Sequence, residues 1–359
     1  MNQITNLIRS DLREFIPYSS ARKETITKQI MLNANESPWP NDATACSLNR
    51  YPEPQPQTLI ERLAALYKVK SSQVLLSRGS DEAIDLLIRL FCEANKDAIM
   101  ICPPCFGMYA VCAKLQAANI INTPLIRNNF QLDLPSILDN WNPSVKILFL
   151  CSPNNPTGNC LIRDEILFLC KALRNKCIIV VDEAYIEYAE VNSLSGEIDN
   201  YENLVILRTL SKAYGLAAAR CGAAIANPTL IKCLKNIMAP YPITKMSNAI
   251  AKKTLKTENL KKINQQINCI REEKRALEEQ LKKYDFINKI FISDANFILI
   301  QLNNSQKLLN FLNDRGIAIR KISKQPTLTD CIRITVGTPK ENQTLIRTLD
   351  NYNPYTRER

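Results

Sequence analysis

The 359-residue chain contains no histidine, only eight glycines and two tryptophans. Without imidazole no proton transfer can fall to a histidine. No cluster of side chains has metal-ligand character either, so a bound metal is not expected. No stretch approaches membrane-spanning length, and the polar, charged amino terminus has no apolar signal core. A membrane partner is therefore not expected, and the cytoplasm is the expected location. The thirteen cysteines are odd in number and dispersed through apolar segments, as buried reduced thiols are. Cys102-Pro103-Pro104-Cys105 has redox-pair spacing, but no other thioredoxin-like signal accompanies it. Internal repeats and low-complexity tracts are also missing.

What is present is a basic excess, +11 formally, with lysine and arginine scattered and no aromatic-interleaved basic stripe. That pattern argues against nucleic acid and suits attraction of phosphorylated or dicarboxylate small molecules. The length allows two domains around a large core. From about residue 41 to 245, apolar strands alternate with helical patterns such as Asp81 to Cys92 and Asp164 to Leu173. This predicts an α/β domain with a mainly parallel sheet sandwiched by helices. Residues 246–359 read as connecting helices from Ser247 to Lys283, followed by a smaller α+β domain. Residues 1–40 are expected to pack on that smaller domain and reach the active site.

Glycine, scarce elsewhere, is concentrated where backbone freedom is needed. Gly79, Gly158, Gly215, Gly222 and Gly337 account for five of the eight and lie in or beside short motifs that carry chemistry. The first motif is Thr209-Leu210-Ser211-Lys212-Ala213-Tyr214-Gly215, with Arg220 following, on a turn after the apolar strand 204–207. A lysine there is a candidate for Schiff-base chemistry, and Ser211 and Arg220 flank it with the groups that hold a phosphate dianion. An aldehyde beside a phosphate describes pyridoxal 5'-phosphate. Asp182, at the end of the β-branched run Ile178-Ile179-Val180-Val181, would meet a protonated pyridine nitrogen, and Tyr185 the ring oxygen. Asn155, in Asn154-Asn155-Pro156-Thr157-Gly158, could share that oxygen, while Arg78-Gly79-Ser80-Asp81 opens a helix whose free N–H groups suit an anion. Each fragment alone also has an ordinary reading: a surface lysine, an N-cap or loop salt bridge for Asp182, a plain βα turn at Gly79. Arg320 and Arg333 sit on apolar strand-like runs, where either a bound anion or an internal carboxylate would offset the cost of the guanidinium.

The order of these motifs, together with Leu32-Asn33-Ala34-Asn35-Glu36, Arg50-Tyr51-Pro52-Glu53, Lys324-Gln325-Pro326 and Arg333-Ile334-Thr335-Val336-Gly337-Thr338, resembles the fold-type I, class II pyridoxal-phosphate aminotransferases, and among them the histidinol-phosphate aminotransferase family. The resemblance covers nearly the full length. It implies that Lys212 bonds the cofactor, that Asp182 and Tyr185 assist catalysis, that Gly79, Ser80, Asp81, Ser211 and Arg220 line the phosphate, and that Thr209 also binds the cofactor. It further implies that Phe106 stacks on the cofactor ring, and that Tyr51 is donated to the neighbouring site of a homodimer. Tyr18, Asn35, Asn155, Arg320 and Arg333 would bind substrate. The reaction implied is reversible transamination of histidinol phosphate and 2-oxoglutarate to imidazole-acetol phosphate and glutamate. An aromatic amino-acid aminotransferase and a threonine-phosphate decarboxylase share the motifs and remain alternatives. A regulator with an aminotransferase-like module would need a DNA-binding extension, and the family-like sequence already starts within the first twenty residues. Pro40 and Ala218 stand where the family commonly has glycine.

Overall fold

In the computed structural model, described for residues 3–17, 30–41, 47–322, 325 and 327–354, the chain builds two sheets. The larger comprises β1 (Val74–Ser77), β2 (Ala98–Ile101), β3 (Asn119–Asn122), β4 (Val145–Cys151), β5 (Ile178–Asp182), β6 (Leu204–Thr209) and β7 (Gly222–Ala226) in the order β1-β7-β6-β5-β4-β2-β3. Neighbours from β6 to β3 are parallel, and β7 runs antiparallel to both β6 and β1. Nearly every residue of β4 and β5 is buried, as the unbroken apolar runs require of strands covered on both faces.

Side chains alternate across this sheet, so successive residues enter different cores. Ile147, Phe149, Ile178, Val180 and Leu207 join one face with α2 (Gly79–Phe91), α3 (Met108–Leu115) and α6 (Pro228–Ile237). Leu148, Leu150, Ile179, Val181 and Ile206 join the other, with α1 (Gln57–Tyr67) and α5 (Arg163–Ala172). The same period of two sets the strand ends. Asp182 and Thr209 point to the first face, whereas Glu183 and Arg208 fall on the second, where they pair at 3.5 Å.

The smaller sheet, β10-β11-β9-β8, is antiparallel throughout: β8 (Ile287–Ile290), β9 (Phe297–Leu302), β10 (Arg320–Ile322) and β11 (Cys331–Thr335). It packs on α8 (Thr257–Leu281), α9 (Ser305–Asn313) and α10 (Pro339–Leu349) through its own core, with α7 (Lys245–Thr254) preceding α8.

The amino-terminal segment departs from expectation in its described part. Ile4 and Ile8 are buried in the larger body, not the smaller, and the Arg9 N–H donates to the Leu90 carbonyl at 3.1 Å. The reason is local: apolar residues at a spacing of four form one stripe, and the carboxyl end of α2 offers unsatisfied carbonyls beside an apolar surface. The larger sheet is mainly parallel as expected, β7 being its one reversed strand.

Candidate active site

The carboxyl ends of β4, β5 and β6 open onto a cavity of about 700 Å³, closed on its far side by β10 and β11, in the size range of small-molecule sites. Gly79, Ser80, Asp81, Phe106, Asn155, Asp182, Tyr185, Thr209, Ser211, Lys212, Arg220, Arg320 and Arg333 all line it. Motifs far apart in sequence are thus brought together. Tyr51 and Asn35 are not among the lining residues. Their segment is held elsewhere by the Arg50–Glu36 ion pair at 2.9 Å and by stacking of Tyr51 on Tyr241 at 4.5 Å. Tyr18 lies outside the described residues.

Asp182 is buried, and one oxygen accepts the Tyr109 hydroxyl at 2.8 Å while the other accepts the Ala184 N–H at 3.1 Å. Burial raises its pKa to about 6, against the lowering effect of these two hydrogen bonds. The Lys212 side chain projects into the cavity with Nζ 5.5 Å from the Tyr185 ring centre. Burial first, and the nearby Arg333 second, lower the pKa of its amine. Arg333 donates to the Asn155 amide oxygen at 2.6 Å, and the Asn155 amide nitrogen lies 3.5 Å from the Tyr185 hydroxyl.

At the other end of the cavity the first-turn N–H groups of α2, which no helical carbonyl can satisfy, lie beside Arg220 and Ser211. Arg220 reaches Asp81 at 3.0 Å and Ser211 at 3.5 Å. The Thr209 hydroxyl accepts the Ser211 N–H at 3.1 Å and so fixes the turn. Gly79 has φ +74°, and a Cβ there would stand 2.6 Å from Arg220. Gly222 is required for another reason: its Cβ would lie 2.4 Å from the Gly79 carbonyl carbon.

Residues 18–349 match the family described as aminotransferase class I and II. A histidinol-phosphate aminotransferase of Xanthomonas euvesicatoria is 42% identical over 352 residues, covering 97% of each chain. One of Francisella philomiragia is 44% identical over 350 residues, covering 97% of this chain and 96% of its own. The chain belongs to the histidinol-phosphate aminotransferases, within classes I and II. The crystal structure of the Clostridium acetobutylicum histidinol-phosphate aminotransferase superposes with a TM-score of 0.76 at 28% identity, covering 84% of this chain and 90% of that one. The two-sheet architecture is the fold-type I arrangement of these aminotransferases.

For an aminotransferase, several lining residues have parts that the motif reading did not assign. Gln325 donates to the Cys105 carbonyl at 3.0 Å and ties the β10–β11 loop to the larger body, while Lys321 adds a cation. With it the cavity holds five basic residues, Lys212, Arg220, Arg320, Lys321 and Arg333, against two acidic ones, Asp81 and Asp182. Tyr109, behind the lining rather than in it, is the larger omission, since it touches the buried carboxylate directly; nothing in its sequence neighbourhood on an apolar helix sets it apart from a core tyrosine. Cys102 and Cys105 enter the cores of opposite sheet faces, and burial raises their thiols to about 11 and about 12, the reverse of a redox pair.

Proposed function

We propose that the chain exchanges an amino group between L-histidinol phosphate and 2-oxoglutarate, giving imidazole-acetol phosphate and L-glutamate, with pyridoxal 5'-phosphate in the cavity and as a cytoplasmic homodimer. The donor set fits that cofactor. A helix amino terminus with Ser211, Thr209 and Arg220 suits its phosphate, and the Phe106 ring a flat heterocycle. Asp182, a buried acid whose charge has no cationic partner in hydrogen-bond reach among the described residues, suits its ring nitrogen. Bound there, pyridoxal phosphate supplies an aldehyde and an electron-accepting ring.

The residues divide the remaining work. Lys212, whose amine is already biased toward neutrality, takes the proton from the substrate carbon and returns it on the cofactor side. Asp182 holds a proton on the ring nitrogen, and Asn155 with Tyr185 orients the ring oxygen. The observation that carries the substrate reading is the register of Arg320 directly opposite Arg333 on neighbouring strands. Like charges so placed repel, and no salt bridge to a carboxylate is made by either among the described residues. A phosphate dianion, or the carboxylates of glutamate and 2-oxoglutarate, relieves that repulsion and can engage both forks.

Support for the homodimer comes from large apolar side chains left exposed in the segments on either side of the Tyr51–Tyr241 pair in sequence, namely Leu32, Trp39 and Leu48 before Tyr51 and Met246 and Ile250 on α7 after Tyr241. The twelve described cysteines are free thiols, which suits a reducing compartment. The test is a half-reaction screen that follows the bound cofactor's visible absorption as amines are added. Histidinol phosphate and glutamate should react, and Arg320→Ala should weaken histidinol phosphate more than glutamate. Equal efficiency with histidinol or phenylalanine would replace this reading with an aromatic aminotransferase, and release of carbon dioxide with a decarboxylase.

A further inference from the structure

The buried phenol of Tyr109 has no place in the division of labour above, yet its surroundings are those of a working group. It lies on α3 against the first face of the large sheet, fully buried, its ring stacked on Phe149 at 4.7 Å and edge-on to Phe106 at 5.7 Å. These contacts fix the ring on both sides. Its hydroxyl is then aimed at Asp182, with a donor-acceptor distance of 2.8 Å. Phe106 lines the cavity, so one rigid stack of Phe106, Tyr109 and Phe149 connects the cavity wall to the carboxylate at its floor.

We infer that Tyr109 is the positioning residue for Asp182, holding the carboxylate ionised and in one rotamer so that it can keep a proton on the nitrogen of a bound heterocycle. The inference rests on the pyridoxal-phosphate reading above. A carboxylate as deeply buried as Asp182 takes up a proton unless donors replace the lost water. It has two, the Ala184 N–H and the Tyr109 hydroxyl. The backbone donor is present whatever the side chains are, so the phenol is the one that sequence can vary. The other titratable groups that act on this pair are Asp81 and Lys212 across the cavity and the Cys151 and Cys105 thiols beside the phenol. Burial pushes the Tyr109 hydroxyl well above its ordinary range, so it stays a donor wherever the enzyme works. An imidazole in that place would gain and lose a proton near neutrality; this chain has none.

The experiment compares the wild type, Tyr109→Phe, Asp182→Asn and the double variant as holoenzymes. Tyr109→Phe keeps the stacked ring and removes one oxygen. Pyridoxal-phosphate dissociation is measured by fluorescence, and the bound cofactor's absorption is titrated with pH. Expected is about tenfold weaker cofactor binding in Tyr109→Phe, the size of one hydrogen bond to a charged group, with a shifted absorption midpoint and a lower kcat at little-changed KM for glutamate. In the Asp182→Asn background the further change to phenylalanine should have almost no effect on binding, because the charged acceptor is gone. Equal losses in both backgrounds, or an unshifted absorption midpoint, overturn the inference. A wild type that binds no pyridoxal phosphate overturns the cofactor reading instead, so the two failures are told apart. Should Tyr109→Phe melt far below the wild type, the midpoint of whatever folded fraction binds the cofactor still decides.

Discussion

Lys212 is one of five cavity cations, and on the motif turn after β6 it lies beside Tyr185 with its amine pKa lowered by burial and by Arg333. Lys212→Ala should therefore cost at least about a thousandfold in turnover while leaving weak cofactor binding through Arg220 and Ser211. Substantial turnover without an added amine would contradict its role. Asp182 gives a second expectation at this scale. Its folded pKa, about 6, exceeds the ordinary carboxyl value of 3.8. In the cofactor-free chain its contribution to stability is thus full below pH 3.8 and is lost as pH rises to about 6, at most ~3 kcal/mol. Melting curves should show Asp182→Asn overtaking the wild type above pH 6; parallel profiles would exclude the effect. The lysine and the aspartate were both legible in sequence, because each follows an unbroken apolar strand. Tyr109 was not. It sits in an apolar helix where a tyrosine looks like core, and only the stacking of its ring on Phe149 of β4 brings its hydroxyl to a carboxylate 73 positions away.

Among the elements, the turn from β1 into α2 is closely approached by a neighbouring strand. It exists because β7 passes beside it with a glycine at the point of contact: Ser77 faces Gly222 in register, and a Cβ on Gly222 would also lie 2.6 Å from the Ser80 nitrogen. Gly222→Ala must displace the backbone N–H groups proposed to cradle a phosphate. A loss of roughly 1–3 kcal/mol in stability is expected from the overpacking, together with weaker cofactor binding; urea denaturation and cofactor titration check the two parts. The unbroken apolar runs 178–181 and 204–207 were readable as β5 and β6 to within two residues, since such runs admit little else. The order of the strands was not. The reversal of β7 and the Arg208–Glu187 ion pair at 2.7 Å, buried behind β6, depend on which elements meet across the sheet.

At the scale of the whole molecule, the proposed homodimer makes a specific demand. Tyr51 stacks on Tyr241 outside the cavity of its own chain and is half exposed. Mixing Tyr51→Phe with Lys212→Ala subunits should restore activity, because a hybrid contains one site with neither lesion. Failure to recover activity, or full activity in a demonstrated monomer, would exclude donation of Tyr51 across the interface. The partition into two bodies was visible in the change from alternating strands and helices to a long amphipathic stretch. The docking of residues 3–12 on the larger body was hidden, because short apolar stripes do not name the surface they cover.

Two hydrogen bonds span the mouth between the bodies, Gln325 to the Cys105 carbonyl and Arg333 to Asn155. Side chains already tethered have little rotamer freedom left to lose when an anion enters. The affinity of the site is in this respect a matter of entropy spent during folding. Releasing the first tether with Gln325→Ala should weaken anion binding by about 1 kcal/mol, and isothermal calorimetry should place that loss in the entropy of binding, leaving its enthalpy nearly unchanged.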